Sequence, residues 1–108
     1  MSQRDFSVDV LHEDGSSVRL AAVGELDIAT VGVLRRALRE QVSSGQDVLL
    51  DLSGVEFMDA SGIRVLLDAI ADAKTNGLRL GLSPDLRPYV KRLLELTAIL
   101  PMLPVDEP

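Results

Sequence analysis

Between Asp47 and Leu67 the hydrophobic pattern of this chain changes its period, and that change limits the folds open to it. Val48-Leu49-Leu50-Asp51-Leu52 is a short apolar run of the kind that fills a strand buried on both faces. From Ile63 onward the apolar positions 63, 66, 67 and 70 recur at helical spacing, with Arg64, Asp68 and Asp72 on another face. Between the two lies Asp59-Ala60-Ser61-Gly62, a polar turn that opens onto a helix N-terminus. A strand, an exposed turn and a helix in that order is the arrangement in which parallel α/β folds place their sites.

The flanking segments fit the same architecture. Phe6, Val8 and Val10 alternate with Ser7 and Asp9, which predicts a strand with one buried face. His12 to Ser16 is a turn cluster, and Val18 to Val23 gives a second strand, so the two form a hairpin. Gly24-Glu25-Leu26-Asp27 breaks that strand. A helix is expected from about Thr30 to Val42, with Val31, Leu34, Leu38 and Val42 inward and Gly45 as its left-handed terminator. The central helix closes at Gly77, and Leu78, Leu80 and Leu82 make a further strand. Ser83-Pro84-Asp85 starts a third helix, with Asp85 as N-cap, Pro88 in the first turn and Val90, Leu93, Leu94 and Thr97 inward. Residues 99–103 read as a last edge strand because Pro101 excludes a central one, and 105–108 as a frayed tail. The expectation is one α/β domain over residues 1–108, its core at about 5–104. Its sheet is mixed but mostly parallel, opened by an N-terminal β-hairpin, with helices packed against it.

Composition narrows the function. With 108 residues there is room for one domain. The formal charge of −6 argues against a phosphate-backbone ligand, so no nucleic-acid partner is expected. The absence of cysteine removes disulfides, thiolate metal sites and cysteine catalysis together. Aromatic residues make up only 3%, which leaves an aliphatic core. The polar opening Met1–Asp5 lacks a signal-peptide pattern, and no apolar run approaches the ~18 residues of a membrane span. A cytoplasmic protein without membrane insertion is the expectation.

No catalytic constellation stands out. The single histidine, His12, lies in the hairpin turn, where a solvated side chain is the ordinary outcome. No glycine-rich nucleotide loop occurs. Asp47, Asp51, Glu56 and Asp59 are acidic but read as solvated strand and loop ends, so neither metal nor cofactor is expected. Ser61 has only Asp59 as a nearby base, a weak one at an ordinary pKa, and Asp59 stands where a nucleophile elbow needs glycine. The chain is therefore not expected to be an enzyme. Capping by Asp59 or Ser61 accounts for one of these residues, and a docking or switch site is the alternative for the turn.

These residues carry a resemblance. Gly24-Glu25-Leu26-Asp27, the stretch from Asp51 through Ser61-Gly62-Ile63, and Ser83-Pro84 with the basic helix holding Val90, Lys91, Arg92 and Leu93 resemble the STAS domain family. The type resembled is the anti-sigma factor antagonist of bacterial partner switching, and the likeness spans roughly 5–104. It implies a protein that binds an anti-sigma factor which is also a serine kinase, and so frees a sigma factor for transcription. In that family the kinase phosphorylates the signature turn and breaks the complex, and a serine phosphatase reverses the reaction.

The resemblance also implies a binding surface. It comprises the turn 57–62, the start of the following helix and the 24–30 loop, with Asp27 and Thr30 flanking the signature turn and Met58, Asp59, Ala60, Ser61, Gly62 and Arg64 as its other named residues. Both loops are expected at the same end of the sheet. One departure matters: the family's phosphorylated residue directly follows the Asp, and here that position is Ala60. Either the usual off-switch is missing, or Ser61 accepts the phosphate. A local hydrogen bond to the Ser61 hydroxyl would favour the first. Relatives commonly add a C-terminal helix, so contacts made by that helix are not carried over. The alternative role is that of a cytoplasmic accessory subunit of a lipid transporter or sensory complex, for which no acceptor is needed.

Overall fold

The computed structural model describes residues 6–99 and 101. Strand β1 (Ser7–His12) pairs antiparallel with β2 (Ser17–Leu26), and β2 runs parallel to β3 (Asp47–Met58), which is parallel to β4 (Leu80–Leu82). The spatial order is β1-β2-β3-β4. Helix α1 (Val31–Ser43) links β2 to β3, α2 (Ala60–Thr75) links β3 to β4, and α3 (Pro88–Leu96) follows β4. Both crossovers step in the same direction across the sheet, so their right-handedness puts α1 and α2 on one face. Arg35 of α1 bridges to Asp68 of α2 at 2.9 Å.

The inner face is aliphatic. Val18, Leu20, Ala22 and Leu26 of β2 and Val48, Leu50, Leu52, Val55 and Met58 of β3 are buried against Val31, Leu34 and Leu38 of α1 and Val65 and Leu66 of α2. On the outer face Arg19 and Asp51, half-buried, form an ion pair at 3.1 Å. The strand expected to be buried on both faces is thus fully buried on one and half-open on the other.

β3 also runs past Leu52, where the simple alternation stops. Its pairing with β2 shifts register twice, between Ala21 and Val23 and between Gly24 and Glu25. Each shift adds a residue on β3, so the inward phase passes from 48, 50 and 52 to Val55 and Met58. Gly54 permits the first shift. A Cβ there would stand 2.9 Å from Val23 Cγ2 and 3.0 Å from the Ala22 carbonyl oxygen.

Helix α1 buries Val31, Leu34, Leu38 and Val42 as its period predicts. It is followed by Gly45 at φ +74, as α2 is by Gly77 at φ +67. The stripe on α2 differs from the expected 63, 66, 67 and 70. The buried residues are Gly62, Val65, Leu66, Ala69 and Ala73. The small side chains let the helix lie close to the sheet, while Ile63 and Ile70 pack at the flanks and Leu67 is exposed.

Helix α3 starts later than expected, and Asp85 does not cap it. Its N-cap position is Arg87, extended at φ −65 and ψ 145, because the residue before a proline is barred from the helical region. Pro88 is the first helical residue, where its missing N–H costs nothing. Val90 and Leu94 are buried, whereas Thr97 is exposed and ends the helix. Leu78 precedes β4 rather than joining it. Of the expected edge strand at 99–103, Ile99 is fully buried outside any strand, and 100, 102 and 103 lie outside the described residues, as does the tail 105–108.

Candidate functional site

β2 and β3 are parallel and end side by side, with Leu26 opposite Met58. Each is followed at once by an aspartate, Asp27 and Asp59, and the Asp59 amide donates to the Leu26 carbonyl at 3.2 Å. The two loops singled out in the sequence therefore leave the sheet at the same end.

In the first loop, Asp27 and Thr30 are each 6% exposed. The Thr30 hydroxyl donates to the Glu25 carbonyl at 2.7 Å and accepts from the Asp27 amide at 3.0 Å. The Asp27 carboxylate accepts from the Ala29 amide at 2.9 Å. Both residues thus build the loop from within, and what the loop presents to solvent is Ile28, 81% exposed, and Ala29.

In the second loop, Asp59 caps α2. Its backbone is extended at φ −116 and ψ −168, and its carboxylate accepts from the Ser61 amide at 2.9 Å. The Ser61 hydroxyl also donates to the same carboxylate oxygen. The hydroxyl foremost, with help from the Ser61 and Gly62 amides, holds the Asp59 carboxyl below its usual range against the opposing push of partial burial. Met58 is fully buried and Gly62 is buried against it. A Cβ on Gly62 would lie 2.6 Å from Met58 Cγ and 3.1 Å from Leu26 Cδ2. Ala60 and Arg64 are exposed, and Ser61 is half-buried.

The sequence-derived set therefore divides. Asp59, Ala60, Ser61 and Arg64 reach the surface, whereas Asp27, Thr30, Met58 and Gly62 lie beneath it and fix its shape. Of the surface residues at this end, Ile28 and Phe57 lie within the two segments expected to form the surface but were not singled out, and Tyr89 lies outside them. Ile28 and Phe57 line, with Glu25, Asp27, Ala29 and Asp59, a shallow cleft of about 410 Å³. Tyr89 of α3 stacks on Phe57, ring centroids 5.9 Å apart and 11° from parallel, and its hydroxyl donates to the Met58 carbonyl at 3.2 Å. An apolar residue in a loop and a lone tyrosine after a proline were the only hints available. The approach of α3 to the end of β3 is long-range.

The Ser61 hydroxyl donates to a carboxylate made less basic than usual. Among the described residues no three histidine, cysteine, aspartate or glutamate side chains gather to hold a metal ion, and no helix is long and apolar enough to cross a membrane. The groove between α1 and α2, about 350 Å³ and lined by Arg35, Leu38, Val65 and Asp68 among others, lies away from both loops.

Comparison with known proteins bears on the family and the fold. The family described as "Mlab, STAS domain" matches residues 10–103. The anti-sigma F factor antagonist of Paenibacillus polymyxa is 31% identical over 90 residues, covering 82% of this chain and 74% of that protein. The anti-sigma-B factor antagonist of Bacillus subtilis is 27% identical over 95 residues, covering 88% and 85%. Among solved structures, the anti-sigma factor antagonist SpoIIAA in its unphosphorylated form superposes with a TM-score of 0.78 at 18% identity, covering 94% of this chain and 88% of that one. That likeness establishes the fold.

Proposed function

The chain belongs to the STAS domain family, and from that membership we propose that it is an anti-sigma factor antagonist which docks through the paired loops at the ends of β2 and β3. The partner is an anti-sigma factor that is also a serine kinase, and its capture releases a sigma factor. The observation that carries this reading is the Asp59-capped turn set beside the Ile28 loop, in a chain whose relatives bear that name. Ile28, Ala29, Asp59, Ala60, Ser61 and Arg64 form the contact set. Asp27, Thr30, Met58 and Gly62 hold it in shape. The protein acts as a docking module, not a catalyst.

Ala60 in the acceptor position makes the antagonist constitutive, because the only hydroxyl in the turn is held by Asp59. The same alanine supports a second reading, an accessory subunit of a lipid transporter or sensory complex, in which no phosphorylation is required. A calorimetric titration against purified serine-kinase anti-sigma factors from the same organism separates the two. Saturable one-to-one binding that displaces a sigma factor is the expected result. No binding to any of them, with co-purification of transporter subunits, would replace the first reading by the second.

A further inference from the structure

The peptide unit that joins Met58 to Asp59 is held from both sides. Its N–H donates to the Leu26 carbonyl of β2 at 3.2 Å, and its carbonyl accepts from the Tyr89 hydroxyl of α3 at 3.2 Å. In a trans peptide these two groups point in opposite directions, so the second bond lies on the edge of β3 away from β2. Among the described residues β4 pairs with β3 only from Val48 to Leu50, which leaves that edge without a strand partner at Met58. Met58 is fully buried, and a buried carbonyl left unpaired is costly. The bond it needs comes from a side chain 31 residues further along the chain. Tyr89 follows Pro88, the first residue of α3, and precedes Val90, which with Leu94 is fully buried. The packing of α3, and not the turn itself, therefore sets where the hydroxyl stands.

Resting on the antagonist reading above, we propose that Tyr89 is a positioning residue for docking: its hydroxyl fixes the plane of the Met58–Asp59 peptide, and through it the direction in which the Asp59 turn meets the anti-sigma factor. The dihedrals on either side of that peptide are ψ of Met58 and φ of Asp59. Asp59 stands at φ −116, and from there its carboxylate reaches the Ser61 amide at 2.9 Å and the Ser61 hydroxyl. A tilt of the peptide swings the carboxylate out of line with the first turn of α2, and hydrogen bonds weaken steeply as their angle closes. A turn already fixed in its bound geometry loses less freedom on association. The hydroxyl alone makes this bond, whereas the ring stacks on Phe57. A phenylalanine at position 89 thus keeps the stack and removes the bond.

The test compares the full chain with Tyr89→Phe in two measurements. One is a calorimetric titration against the purified serine-kinase anti-sigma factor. The other is an NMR titration of the Asp59 and Asp51 carboxyls in the folded protein without a partner. Both carboxyls lie below their usual range, Asp59 chiefly through Ser61 and Asp51 through Ser53 and Arg19, so Asp51 serves as the control within the same strand. In Tyr89→Phe the Asp59 carboxyl is expected to rise towards its ordinary value with Asp51 unmoved, and binding to weaken about threefold to tenfold. A change in overall stability alone moves neither titration. An Asp59 that titrates as in the parent would overturn the proposal, and a weaker complex would then mean that the hydroxyl touches the partner itself. Asp59 and Asp51 rising together would mean a general loosening of the sheet and overturn it as well. So would a raised Asp59 with parent-like affinity, since docking would not depend on the setting of the turn. Failure of the parent chain to bind would overturn the antagonist reading and the docking role together, while the carboxyl titration shows by itself whether Tyr89 holds the turn.

Discussion

Asp59 and Ser61 are joined twice: one carboxylate oxygen of Asp59 accepts both the Ser61 amide, at 2.9 Å, and the Ser61 hydroxyl. The group that caps α2 therefore also occupies the only hydroxyl of the signature turn. The neighbouring Ala60 is exposed at the first helical position.

The first prediction concerns that turn. Incubated with the anti-sigma kinase and ATP, the chain is expected to gain no phosphate, whereas Ala60→Ser is expected to gain one. Intact-mass spectrometry reads both. A phosphate on the unaltered chain that maps to Ser61 would show that the hydroxyl leaves Asp59 readily and that the switch has moved by one residue.

Asp59 is also a structural residue, and of the two caps that the sequence offered for this turn it is the one the structure uses. Asp59→Ala is expected to lower stability by about 1 kcal/mol through loss of the cap, measured by urea unfolding at neutral pH. The carboxyl lies below its usual 3.8 in the folded protein, as do Asp51 and Asp14. For Asp51, burial is the largest single influence and pushes upward, but Ser53 and Arg19 together outweigh it. A depressed folded pKa makes the unfolded chain bind more protons, so stability rises with pH across that range. These contributions are complete above the unfolded value and fade as pH falls through the folded ones. Ser61→Ala, which returns the Asp59 pKa towards normal, should flatten the loss of stability on acidification. An unchanged acid profile would mean that the Ser61 hydroxyl does not hold the carboxylate in solution.

Gly62 sits where α2 meets the ends of β2 and β3. Gly62→Ala would place a methyl group 2.6 Å from Met58 Cγ, and overpacking of that kind costs about 1–3 kcal/mol. Denaturant unfolding should show the loss, and Gly62→Ala should cost less when it is made in a Met58→Ala background than in the parent chain. If Gly62→Ala is neutral, α2 is free to shift away from the sheet.

A stabilising change is expected at the end of α3. Ala98 has a φ of +60, and the Ile99 amide donates to the Leu94 carbonyl at 3.0 Å in the bond that closes this type of helix end. Glycine tolerates that backbone without the steric cost of a Cβ, so Ala98→Gly should gain about 0.5–1 kcal/mol. A rise in the thermal midpoint of a few degrees is the readout. A fall would mean that the unfolded chain gains more freedom from the glycine than the folded one is relieved of strain.

What the sequence determined by itself is what its short-range periods encode. The hairpin of Val8 and Val10 against the strand from Val18, the α1 stripe of Val31, Leu34, Leu38 and Val42, the glycines after α1 and α2, and the Asp59 turn all follow from neighbours within a few residues. The parallel order of β2, β3 and β4 follows from their alternation with helices. The tertiary structure decided whatever depends on partners far along the chain. β3 reaches Met58 because two register shifts against β2 restore its inward phase, and no period within β3 alone reveals them. The face of α2 is set by how close Gly62, Ala69 and Ala73 bring it to the sheet, which a hydrophobicity pattern dominated by Ile63, Leu67 and Ile70 misplaces. Asp27 and Thr30 turn inward because their polar groups satisfy the loop's own backbone, and Tyr89 meets Phe57 only once α3 has docked. The turn could be read from the sequence because its hydrogen bonds are local. The surface around it could not, because packing between distant segments decides which side chains stay in water.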